Sequence, residues 1–196
     1  MSRPMRTALA LALALTSACG SSTARTESAT TEGSSESTPA ASTGPVAVGS
    51  PAPDFMLQDQ SGRVRTLAEY RGHPVVLYFY PRDATPGCTA EACAFRDAWD
   101  RLQASGAVVL GVSTDDVVSH QRFHDEHHLP FDLLADTDQA AANAYGVPVR
   151  MGGFASRQTF LIDAQGNVAR VWPDVDPAVH ADEVIEAIAA LPAPAP

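Results

Sequence analysis

The segment Pro81-Arg82-Asp83-Ala84-Thr85-Pro86-Gly87-Cys88-Thr89-Ala90-Glu91-Ala92-Cys93 gathers the residue types that carry thiol chemistry. It follows six apolar or aromatic residues, Val75 to Tyr80, and it opens a helical pattern. Cys88 therefore falls in the first turn of a helix that begins at the carboxyl end of a strand, the edge at which open α/β sheets bind their ligands. First-turn amides have no intrahelical partner and carry the positive end of the helix dipole. Both effects favour the thiolate, the nucleophilic form of cysteine. Thr85, three residues earlier, is placed to donate its hydroxyl to that sulfur and to accept from a bound reactant. Pro81 and Pro86 set the backbone on either side and keep stray water away.

A thiolate that attacks an O–O bond leaves negative charge on the departing oxygen, so fixed cationic donors near that bond accelerate the step. Arg157 is the candidate donor. It lies just before the strand pattern Thr159–Asp163, expected beside the strand that ends at Pro81, and its guanidinium is permanently charged with a rigid fork of donors.

These residues need a frame. The run Val75–Tyr80 suits a strand buried on both faces. A helix from about Pro86 to Ala104 follows, with Phe95, Trp99 and Leu102 on one face, and Gly106 ends it. Ala107 to Val112 is a second buried strand, which completes a βαβ unit. Asp115 or Asp116 caps a helix running to His128, and Asp136 to Tyr145 reads as a short helix. Thr159–Asp163 and Val168–Trp172 form an antiparallel hairpin, residues 180–190 a last amphipathic helix, and Asp54 to Leu67 a leading hairpin. The sum is an α/β fold: a thioredoxin-like sandwich with a central mixed sheet flanked by helices and an extra N-terminal hairpin.

The chain has 196 residues and a formal net charge of −10, and all 13 basic residues are arginine. Such an acidic surface argues against nucleic acid, whose phosphates need a basic patch. Three cysteines cannot all pair within one chain. The third, Cys19, follows Arg3, Arg6 and the apolar run Ala8–Leu15, the order of a secretory signal too short to span a bilayer. The ending Thr16-Ser17-Ala18-Cys19 resembles a lipobox, although Thr16 stands where that pattern has an aliphatic residue. Lipidation of Cys19 is the expectation; simple cleavage after Ala18, leaving a free thiol, is the other reading. Removing residues 1–18 deletes two arginines and takes the net charge from −10 to −12. Residues 21–45 hold 13 Ser or Thr and nothing more apolar than alanine, too little to offset their ordering entropy. The expected organisation is a signal peptide over 1–18, a disordered tether over 19–45, a domain over 46–191 and an unstructured tail over 192–196. The protein is expected outside the cytoplasm, anchored by lipid to a bacterial cell membrane or in the periplasm.

The pattern Pro-x-x-x-Thr-x-x-Cys at Pro81, Thr85 and Cys88 resembles the active-site signature of peroxiredoxins. The longer run from Tyr78 through Glu91-Ala92-Cys93 to Phe95-Arg96-Asp97 is similar to their bacterioferritin-comigratory (PrxQ) subfamily. Arg157 with Thr159–Asp163 resembles that family's second block, and the likeness covers essentially residues 46–190. It implies a peroxidase for hydrogen peroxide and organic hydroperoxides that uses no cofactor and no metal. Cys88 is then the peroxidatic cysteine, supported by Thr85, Pro81 and Arg157, and Cys93 the resolving cysteine. A thioredoxin-like reductant and a monomer are implied as well.

That pairing has a geometric consequence. Five residues along an intact helix rise about 7.5 Å and turn about 140°, which separates the Cα atoms by about 8.6 Å, beyond the roughly 7 Å limit for a disulfide. The helix must therefore unwind locally around the two cysteines. Cys88 shares a face with Phe95 and Trp99 and points inward, while Cys93 shares one with Arg96, Asp97 and Asp100 and lies nearer solvent.

Two rival chemistries draw on the same residues. A thioredoxin-like disulfide reductase wants Cys-x-x-Cys and a proline before the facing strand; here the spacing is Cys-x4-Cys and Gln158 holds the proline's place. Copper capture by an exported thioredoxin-fold protein would use the cysteines with His120, His124 and His128, spaced i, i+4 and i+8. The plainer reading of those histidines, His127 included, is a solvated helix face. His73 and His180 are expected at the surface, and Trp99 and Trp172 in the core.

Overall fold

The computed structural model describes residues 46–192. The expected signal peptide and tether, with Cys19, and residues 193–196 lie outside them. Among the described residues seven strands form one sheet in the order β2-β1-β5-β4-β3-β6-β7. The leading hairpin is β1 (Met56–Asp59) and β2 (Val64–Thr66), followed by a 3-10 turn over Leu67–Tyr70. β3 (Val75–Phe79), helix α1 (Pro86–Asp97), helix α2 (Trp99–Ala104) and β4 (Val108–Ser113) make the βαβ unit, with β3 and β4 parallel.

α3 (Val117–His127) is capped by Asp116, whose carboxylate accepts from the Ser119 amide at 2.8 Å. β5 (Asp132–Ala135) pairs parallel to β4 and antiparallel to β1, and joins the hairpin to the central strands. α4 (Ala140–Ala144) is shorter than the sequence suggests and starts four residues later. β6 (Gln158–Ile162), β7 (Val168–Trp172) and α5 (His180–Ala189) complete the fold.

β3 is the keel of the sheet, and all five of its residues are buried. Val76, Tyr78 and, just past the strand, Tyr80 join Phe95, Leu102, Phe123 and Val184 on one face. Val75, Leu77 and Phe79 join Phe55, Leu57, Leu67 and Tyr145 on the other. The alternation of side chains along a strand makes two cores from one continuous apolar run.

The structure departs from sequence expectation at three further points. The long helix breaks at Ala98, which ends α1 and starts α2, so Trp99 is only partly buried. β5 had no counterpart in the pattern reading. His180 is fully buried rather than at the surface, because Phe95 and Trp172 pack against its ring, each with centroids 5.5 Å away.

Candidate active site

α1 starts where β3 leaves the sheet. Thr85 is its N-cap and Pro86 its first residue, and the first helical hydrogen bond runs from the Thr89 amide to the Thr85 carbonyl at 2.8 Å. Cys88 thus lies ahead of the first satisfied amide, on the helix face that looks into the core, with 2% of its surface exposed. Cys93 is partly exposed on the same helix, and both thiols are free.

The pairing of β3 with β6 brings the distant cation. Phe79 stands opposite Gln158 and Tyr78 opposite Thr159, so Arg157 enters the sheet level with the point where β3 exits. Arg157 and Thr159 point to the same face, the one that α1 covers. The Arg157 Nη2 donates to Cys88 Sγ at 3.2 Å, while Nη1 donates to the Glu91 carboxylate. The guanidinium lies over Gly87, where an added Cβ would come 3.4 Å from Nη2. One residue therefore bridges the thiol and a carboxylate, and its fork is held in one orientation.

Glu91 was not singled out by the sequence reading, yet it is 1% exposed. A signal was present: it is i+3 from Cys88 and i−4 from Phe95, on the apolar stripe of α1, where a carboxylate is out of place. Desolvation pushes its carboxyl up to about 7 against the pull of the Arg157 charge and hydrogen bond. Its Oε1 is buried with no partner among the described residues. Against Phe95 of the same helix, His180 Nε2 is 2.8 Å from Thr159 Oγ1, and burial pulls that imidazole down to about 4, which leaves it neutral at pH 7.

Thr85 differs in detail from expectation. Its hydroxyl donates to the Arg82 carbonyl at 3.0 Å rather than to the sulfur, which leaves the oxygen's lone pairs free to accept. Pro81 lies partly buried at the base of the loop. Ala84 adopts φ +54°, a left-handed conformation that costs a non-glycine residue on the order of 1 kcal/mol. Two groups anchor the loop. The Asp83 carboxylate accepts from Tyr80 Oη at 2.7 Å, Ser119 Oγ at 2.8 Å and His120 Nδ1 at 2.9 Å. The Asp83 amide donates to Asp115 Oδ2 at 2.9 Å.

His120 is accordingly buried, not part of a solvated face, and His128 has left the helix with φ +51°. The three histidines therefore present no common surface, and the copper reading loses its basis. Among the described residues no three His, Cys, Asp or Glu side chains converge in a metal-binding group.

Comparison with known proteins agrees with this geometry. Residues 48–171 match the AhpC/TSA family. The chloroplastic peroxiredoxin Q of Oryza sativa subsp. japonica is 42% identical over 150 residues, which is 76% of this chain and 69% of that one. Peroxidoxin BcpB from Mycobacterium tuberculosis superposes with a TM-score of 0.71 at 34% identity, covering 76% of this chain and 99% of that one. The Xanthomonas campestris bacterioferritin comigratory protein, described for its alkyl peroxide reduction activity, gives 0.68 at 35% identity, covering 74% and 98%. A buried thiol at a helix N-terminus, in contact with an arginine from the neighbouring strand, together with these likenesses, identifies the chain as a member of the AhpC/TSA family and, within it, a peroxiredoxin of the PrxQ and bacterioferritin-comigratory group, a thiol peroxidase.

Proposed function

We propose that Cys88 is the peroxidatic cysteine for hydrogen peroxide and organic hydroperoxides, and that Cys93 resolves it. The observation that carries this reading is the 3.2 Å contact from Arg157 Nη2 to Cys88 Sγ in the first turn of α1. The guanidinium stabilises the thiolate before attack and reaches the O–O bond during it. The thiolate sulfur bonds to one peroxide oxygen as the O–O bond breaks, giving Cys88 sulfenic acid and an alkoxide or hydroxide that takes up a proton. Thr85 accepts from the peroxide, and Pro81 shields the sulfur from bulk water.

The Cys93 thiol then displaces hydroxide from the sulfenic acid, with release of water, once the turn between them has opened. A thioredoxin-like dithiol reduces the resulting disulfide. Resolution within one chain lets the protein work as a monomer. Cys19 carries the lipid, and residues 19–45 tether the domain outside the cytoplasm.

Stopped-flow mixing of reduced protein with hydrogen peroxide, followed by tryptophan fluorescence, tests the core of this reading. Wild type should react and Cys88→Ser should not; equal consumption of peroxide by both would sink it. After one equivalent of peroxide, mass spectrometry should find wild type lighter by two hydrogens and Cys93→Ser carrying an oxidised Cys88. Metabolic labelling with a fatty acid, lost in Cys19→Ala, tests the anchor.

A further inference from the structure

We infer that Asp83 and His120 form a buried positioning pair that holds the loop over residues 81–85 in the shape that presents Thr85, and the turn of α1 bearing Cys88, to the peroxide. The inference rests on Cys88 being the peroxidatic residue.

The loop has no regular hydrogen-bond ladder of its own and contains a strained residue, Ala84 at φ +54°. Such a conformation persists only where the surroundings over-determine it. Here the residue before the strain is tied at both its main chain and its side chain. Its amide is held by Asp115, which is itself fixed by Ser113 Oγ at 2.7 Å. Its carboxylate is 3% exposed and accepts from three donors on two separate elements, the end of β3 and the first turns of α3. Because an ionised carboxylate only accepts, the contacting Nδ1 of His120 must carry the proton.

His120 has no other occupation. It is fully buried, its Nε2 has no partner among the described residues, and its further polar contact is Tyr80 Oη, 3.4 Å from the same Nδ1. A buried imidazole with one orphaned nitrogen is a poor way to stabilise a helix, since an unsatisfied buried polar atom costs about 1–3 kcal/mol. An apolar side chain would fill that site against the Tyr80 ring at less cost. The position of His120 is therefore explained by the loop it restrains. The tie also reaches outward, because Arg82 lies 3.8 Å from Asp115 and sits over the Phe154 ring at 5.5 Å.

The test uses His120→Leu, His120→Gln and Ser119→Ala in the full chain, all reduced. Three quantities are compared: the second-order rate with hydrogen peroxide, the alkylation rate of Cys88 by iodoacetamide, and Tm. His120→Leu should slow the peroxide reaction at least tenfold while alkylation stays within twofold. His120→Gln, which keeps a donor for Asp83, should recover most of the peroxide rate. Ser119→Ala removes one donor only and should slow the reaction a few-fold, which keeps the idea testable if His120→Leu does not fold. A peroxide rate within twofold of wild type in a folded His120→Leu overturns the inference, as does an equal loss in both reactions. Peroxide consumption that survives Cys88→Ser would instead overturn the reading of Cys88 itself.

Discussion

Glu91→Gln should abolish a specific pH dependence of stability that the wild-type domain owes to this one carboxyl. The side chain is 1% exposed, and burial raises its folded-state pKa from 4.5 to about 7. A folded pKa above the unfolded one means that the folded chain holds the extra proton. The stability it contributes is complete below about pH 4.5 and is lost as pH rises through about 7. At about 1.36 kcal/mol per pH unit, the interval from 4.5 to about 7 is worth about 3 kcal/mol. Glutamine keeps the shape and an acceptor for Arg157 but does not titrate. Urea denaturation of both reduced proteins between pH 4.5 and 8 should show wild type losing about 3 kcal/mol relative to the variant. Other groups, such as the depressed His180, cancel in that difference. Parallel curves would refute the argument. Because Glu91 stands between Cys88 and Cys93 on α1, the unwinding proposed for their disulfide exposes it, so the gap between the two proteins should disappear in the oxidised pair.

Arg157→Met removes the charge-assisted donor to Cys88, a class of bond worth about 1.5–3 kcal/mol. The second-order rate with hydrogen peroxide in stopped flow should fall by about 10-fold to 150-fold. Ala84→Val places a β-branched residue at φ +54° and should lower the unfolding free energy by at least about 1 kcal/mol, read from the denaturation midpoint at unchanged m-value. Gly111→Ala drives a Cβ to 2.7 Å from Tyr78 Oη and 2.8 Å from Leu133 Cδ2, beneath α1. It should cost about 1–3 kcal/mol by the same measurement, and wild-type stability there would show that the sheet can shift to admit it.

The parts of the site legible in the sequence are those set by local pattern, and the parts that were not are those set by a partner far along the chain. The apolar run Val75–Tyr80, the prolines and Gly106 place Cys88 at the start of a helix through short-range rules alone. Arg157 followed because one strand pattern had to lie beside another. Glu91 and His120, by contrast, are buried only because residues 66 and 37 positions away satisfy them. Helical periodicity shows which way such residues point, but not whether a remote charge waits there. β5 was missed for a related reason: Asp132-Leu133-Leu134-Ala135 is four residues long, with neither alternation nor β-branched side chains, and only pairing with β1 and β4 makes it a strand. The break at Ala98 has the same character, since nothing in Asp97-Ala98-Trp99 stops a helix by propensity. Glu91 and His120 are polar groups placed against their local preference: one shares Arg157 with Cys88, and the other holds, through Asp83, the loop that leads to Cys88. Such conflicts between local rule and final position mark the places where a chain gives up packing for chemistry. The burial of Glu91 and His120 is thus itself a sign of where the reaction occurs.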